Sequence, residues 1–180
     1  PSKKLNFETG KHDIVADSKT RLKGLAAALD QVEAKYPGAI SRIILNGAAD
    51  QSPMTNQMAR YKPARLPNKI SDCRAISNQL EKQKCVMINN FNLSSNRAEE
   101  VAYYIRTSTK NSALQVARKY RGMGLGPVKT PTAPCAPNKG CDPDRFVEIS
   151  FDLSSDVSAE NGKKIEALLT AAIKKQFGDD

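Results

Sequence analysis

Apolar residues recur at helical spacing in ADSKTRLKGLAAALDQVEAKYPG, where Leu22, Leu25, Ala26, Leu29 and Val32 form one stripe. Asp17 or Ser18 is placed to cap this helix, and Pro37-Gly38 to end it. A short strand, LNFE, precedes it at 5–8, and ISRIILN at 40–46 reads as a buried strand that turns at GAADQSP. A second helix is expected after Ser94 or Asn96. It has Glu99 and Glu100 in its first turns and Ala98, Val101, Ala102 and Ile105 as its apolar face. ALQVARKYRG alternates through Leu114, Val116, Arg118 and Tyr120 and reads as a third strand, closed by a GMGLGP turn. The Gly-x-Gly-x-Gly string is not a phosphate loop, because Pro127 follows it and no capped helix does. RFVEISFDL reads as a fourth strand with Val147, Ile149, Phe151 and Leu153 on one face. The tail SAENGKKIEALLTAAIKKQF reads as a last amphipathic helix carrying Ile165, Leu168, Leu169, Ala172 and Ile173.

The predicted order is β-α-β-α-β-β-α. This is an α/β (α+β sandwich) architecture: helices on one face of a four-stranded mixed sheet, with an added C-terminal helix. Two irregular segments interrupt it. Residues 51–89 contain Pro53, Pro63 and Pro67 and read as a long insert with a helical turn around 72–83; residues 127–144 read as a Pro-rich loop. Residues 1–153 are expected to form the domain, and 154–180 a helix packed on it or on a second copy.

Each irregular segment holds two of the four cysteines, Cys73 and Cys85 in one, Cys135 and Cys141 in the other. An even count in loop-like sequence points to disulfides, with three connectivities open; proximity favours Cys73–Cys85 and Cys135–Cys141. Zinc would call for shorter cysteine spacings or clustered histidines, and His12 is the sole histidine. Disulfides imply an oxidising compartment. The 180 residues carry a net charge of +9, which invites an anionic partner, while aromatics at 6% without Trp supply few stacking platforms for single-stranded nucleic acid. No stretch of 18 apolar residues is present. The opening at Pro1 reads as that of a mature or excised piece of a longer protein.

Catalysis has little to work with. A triad needs a positioned base, and His12 stands beside no nucleophile motif. A binding site is better supplied. Asp50 follows a buried strand, and strand ends are where α/β sheets commonly build sites. Arg97 falls in the first turn of the expected helix, where a cation opposes the helix dipole. An anion there would be held by free N–H groups and a guanidinium fork, with Asp50 holding an amine. Asp50 and Arg97 pairing with each other is the alternative.

These residues resemble a known family, the OmpA-like (OmpA/MotB C-terminal) peptidoglycan-binding domain. Its Gly-His-Thr-Asp turn corresponds to GAAD at 47–50, and its Asn-x-x-Leu-Ser-x-x-Arg-Ala helix motif to NFNLSSNRA at 90–98. RGMGLGP at 121–127 and DRFVEI at 144–149 resemble two further family segments. The resemblance covers most of 5–153, outside the insert, the loop and the last helix. It implies binding of the diaminopimelate-containing stem peptide of peptidoglycan. Asp50 and Arg97 would hold the amine and the carboxylate, Asn90 and Leu93 would position the loop, and Ala49 and Arg145 would complete the site. Ala48 and Ala49 replace the family's His and Thr. The resemblance further implies no cofactor, no enzymatic activity and no nucleic-acid partner. It implies a periplasmic location in a Gram-negative bacterium, with a membrane-embedded remainder upstream. That remainder would be an outer-membrane anchor or a dimerising inner-membrane stator subunit. The contrasting expectation is a basic module that binds nucleic acid or an acidic protein without using Asp50.

Overall fold

The computed structural model describes residues 3–7, 13–52, 69–129 and 142–177. Its elements are β1 (Lys3–Asn6), α1 (Ala16–Lys35), β2 (Ile40–Ala49), α2 (Gln79–Ser108), β3 (Tyr120–Pro127), β4 (Phe146–Leu153) and α3 (Ala159–Phe177). β2 lies between β3, to which it is parallel, and β4, to which it is antiparallel. Those three strands make a mixed sheet, and the short β1 pairs antiparallel with the outer edge of β4. A parallel pair needs a crossover, and α2 supplies it between β2 and β3.

The core follows from the helical stripes. Leu22, Leu25, Ala26, Leu29 and Val32 of α1 are all buried, as are Ala98, Val101, Ala102 and Ile105 of α2. They meet Ile43, Leu45, Val147 and Ile149 from the sheet. Ile44 and Asn46, which alternate with Ile43 and Leu45 along β2, keep partial exposure, so the sheet buries one face more deeply than the other. α3 adds Ile165, Leu169 and Ile173 to the same core, while Leu168, expected in that stripe, is exposed.

Three local expectations are corrected. α2 does not start at Ser94 or Asn96. It is a 30-residue helix capped by Asn78, whose side chain accepts from the N–H groups of Leu80 and Glu81. The second part of the 51–89 insert is therefore helical from Gln79, and Arg97 lies mid-helix. The Asn-rich run that resembled a cap is instead held by tertiary contacts. Asn89 bonds Ser71 through both its amide atoms, Asn90 donates to the Ser52 carbonyl and Asn92 to the Lys69 carbonyl.

The third strand is also displaced. Ala117–Lys119 is a 3₁₀ turn, and GMGLGP, expected as a turn, is the body of β3. Its glycines serve close packing. A Cβ on Gly124 would stand 2.8 Å from the Phe91 carbonyl oxygen of α2. Finally, the N-cap of α1 is Val15 without a side-chain bond, so neither Asp17 nor Ser18 caps it.

The expected Cys73–Cys85 bond is present, with a Cα–Cα distance of 5.9 Å, and ties the segment before α2 to its second turn. Cys135–Cys141 and His12 fall outside the described residues. Among the described residues, no helix is long and apolar enough to cross a membrane.

Candidate ligand-binding site at the end of strand β2

β2 runs out at Ala49 against Pro127 of β3, and the Val128 N–H donates to the Ala49 carbonyl at 2.9 Å. This delivers Asp50 to a fixed place. One carboxylate oxygen accepts from the Ser52 N–H at 3.1 Å and the other from Arg145 Nη1 at 2.8 Å. Arg145 is oriented by a second bond, Nε to the Phe7 carbonyl at 3.1 Å, and Phe7 N–H donates back to the Arg145 carbonyl. Arg97 reaches the same spot from α2. Its Nη1 donates to the Ala48 carbonyl at 2.9 Å, and its guanidinium lies over the Phe7 ring, 5.3 Å from the centroid.

Four formal charges, Asp50, Arg97, Asp144 and Arg145, are thus buried, and Arg97 is 0% exposed. Ions taken out of water survive only with good geometry and satisfied hydrogen bonds. The carboxylate with two donors, and the guanidinium with a carbonyl and an aromatic face, meet that condition. The close approach of α2 depends on Gly47, where a Cβ would stand 2.8 Å from the Ser94 carbonyl carbon. The Ser94 hydroxyl in turn accepts from the Gly126 N–H at 3.0 Å, joining α2 to β3.

Of the expected site residues, Asp50, Ala49, Arg97 and Arg145 come together here. Asn90 adjoins them through its bond to Ser52. Leu93 packs with Ile70, of the segment before α2, in a small separate cluster. Because Arg97 is interior and mid-helix, free N–H groups of a helix start do not accompany it.

An open cavity of about 660 Å³ lies beside this ionic centre. It is lined by Gln79, Lys82, Gln83, Val86, Met87 and Asn90 on one side and by Gln51 and Pro127–Lys129 on the other. The insert's irregular reading hid this stripe, although 79, 82, 83, 86, 87 and 90 follow helical spacing. Phe7, an apolar residue at a strand end, carries no chemical signature in the sequence.

A smaller cavity of about 210 Å³ sits elsewhere along α2, between Glu99, Arg106 and Tyr120. Burial raises the Glu99 carboxyl above its ordinary value, with the Arg106 charge opposing, and burial pushes the Tyr120 phenol up to about 12. No cluster of three or more His, Cys, Asp or Glu placed to hold a metal occurs among the described residues.

No protein-family model and no curated protein matches the chain. Among solved structures, the chain is similar to the periplasmic domain of Helicobacter pylori MotB. The identity is 19% and the TM-score 0.50, with 99% of this chain and 87% of that one covered. A further MotB periplasmic-domain structure matches at 19% identity and TM-score 0.49, over 99% of this chain and 72% of that one. At this identity the likeness is one of fold: a mixed α+β domain of the MotB periplasmic type.

Proposed function

We propose that the chain is a non-catalytic domain that binds the peptide stem of peptidoglycan and thereby holds a membrane-anchored protein to the cell wall from the periplasm. The observation that carries this reading is the meeting of two motif halves. Asp50 of GAAD and Arg97 of NFNLSSNRA stand 47 positions apart in sequence, yet Arg97 bonds Ala48 and Arg145 bonds Asp50 around one residue, Phe7. The diaminopimelate centre, with its amine and carboxylate, is the ligand whose charges complement an Asp and an Arg. Arg97 is fully enclosed and sets the strand end, so the ligand's amine is taken by Asp50, which is 5% exposed and already bonded to Arg145, with Asn90 beside it. The MotB-like fold is consistent with a stator-type or other wall anchor.

Co-sedimentation with purified sacculi tests this. Wild-type chain is expected in the pellet at moderate salt. Asp50→Asn, which keeps size and shape but removes the charge, is expected to weaken recovery by more than tenfold with a folded circular dichroism spectrum at 25 °C, while the melting temperature falls because Arg145 loses its buried partner. If Asp50→Asn pellets like wild type while added salt releases both, the basic surface binds the wall and the Asp50 site does not.

A further inference from the structure

Apart from Asn90, the cavity beside the ionic centre is lined by residues that the function above does not use. Gln79, Lys82, Gln83, Val86, Met87 and Asn90 occupy one face of the first three turns of α2. Across from them, Pro127–Lys129 forms a wall fixed by three bonds. Val128 N–H donates to Ala49, and Gln51 Nε2 donates to the carbonyls of Val128 at 2.8 Å and Lys129 at 3.0 Å. The helical wall is fixed as well, by the Asn78 cap and by Cys73–Cys85. The cleft is thus a preformed one, and its volume of about 660 Å³ is within the roughly 300–1,000 Å³ of small-ligand sites.

Its lining is selective in charge. Two of the ten residues, Lys82 and Lys129, are cations and none is acidic. No described carboxylate forms an ion pair with either lysine, whereas Lys84, one position off the stripe, pairs with Glu81 at 3.0 Å. Val86, Met87, Pro127 and Val128 add apolar surface to the lining. Cations together with apolar surface and amides suit a short acidic peptide with small apolar side chains. They do not suit a uniformly charged polyanion, which would leave the apolar surface unmatched.

We propose that this cleft is a second binding region for the wall peptide, taking its carboxylate-bearing, alanine-containing length through Lys82, Lys129 and the Val86–Met87 surface. The proposal rests on the peptidoglycan reading and assigns the ligand contacts to the helical insert rather than to the enclosed Arg97. Gln83 and Gln51 supply amide hydrogen bonds along the peptide.

The test uses the full 180-residue chain and the synthetic tripeptide L-alanyl-γ-D-glutamyl-meso-diaminopimelate in isothermal titration, with sacculus co-sedimentation run in parallel. Lys82→Ala and Lys129→Ala are each expected to raise the Kd about tenfold, the effect of losing one charge-assisted hydrogen bond. Lys84→Ala is expected to leave it unchanged. Val86→Glu, which places an acid in the cleft, is expected to abolish binding while leaving the thermal melt in place. If wild type binds tripeptide and sacculi but the Lys82 and Lys129 variants stay within twofold of it, the cleft proposal is overturned and the wall reading stands. If wild type binds neither probe, the wall reading falls and takes the cleft assignment with it. If inorganic polyphosphate or a DNA oligonucleotide displaces the tripeptide at equal charge concentration, the cleft is a general polyanion groove and the proposal is overturned.

Discussion

Arg97→Ala is the substitution that separates a ligand-facing arginine from an interior one. An arginine opposing the dipole at a helix start would be a liability, and its removal would raise the melting temperature. The structure dictates the opposite sign. Arg97 is 0% exposed, bonded to the Ala48 carbonyl and stacked on Phe7. Truncation leaves that carbonyl short of a charged donor, worth about 1.5–3 kcal/mol, and removes a desolvated cation–π contact worth about 2 kcal/mol. It also leaves Asp50 and Asp144 buried with one cation fewer. Together the lost carbonyl bond and ring contact come to about 3–5 kcal/mol. For a domain of this size that is a fall in Tm of roughly 6–20 °C. Thermal unfolding followed by circular dichroism measures it directly. Arg97→Lys should fall between the two, since an ammonium can reach the carbonyl but lacks the planar face for Phe7. An Arg97→Ala protein that melts at or above wild type would refute the interior role and restore the helix-start argument.

Other outcomes follow from single contacts. Gly47→Val should destabilise by at least about 1–3 kcal/mol in urea unfolding, because the Ser94 backbone, 2.8 Å from the new Cβ at its carbonyl carbon, cannot move without displacing α2. Reducing Cys73–Cys85, whose ends are 12 residues apart, should remove about 3 kcal/mol of loop-closure stabilisation. That loss should appear in hydrogen exchange as amides over 79–90 accelerated more than those of α1, and uniform acceleration would refute a local strap. Glu99 holds its proton longer when folded, because burial raises its carboxyl above 4.5. Its contribution to stability therefore declines as pH rises from 4.5 through the raised value. Glu99→Gln should remove that decline in a pH series of melting temperatures, and an unchanged pH slope would refute it.

The sequence was readable where one periodicity acted alone. The α1 stripe from Leu22 to Val32 is buried as expected, and so is the Val147–Ile149 face of β4. It misled where a residue type has two uses. Asn and Ser favour helix caps because their side chains bond nearby backbone. In α2 the side chains of Asn89, Asn90 and Asn92 instead reach Ser71, Ser52 and Lys69 across the fold, a use that no local window reveals. Glycine misled in the same way. Gly122 and Gly124 looked like turn residues, yet they lie in β3 beneath α2, where any Cβ would meet Glu99 or Phe91. At the site, residue identity carried further than geometry. Asp50, Arg97 and Arg145 do gather at the end of β2, but their complete burial depends on Phe7 and on the length of α2. Neither was visible in the pattern.

The length of α2 also divides its work. From Leu93 onward it buries its apolar face on the sheet, and Arg97 is locked there by bonds to the strand end. Its first turns border the open cleft. Leu80, Met87 and Ile88 are each more than half exposed, and the segment is tied down by a cap, a disulfide and three asparagines rather than by core packing. Local stability follows buried apolar contacts, so one continuous helix has a rigid half that fixes the ionic centre and a lightly packed half that borders the open cleft. A ligand reaching both would couple them. Asn90 joins the two halves, since it lines the cleft and also bonds Ser52, whose own N–H holds the Asp50 carboxylate.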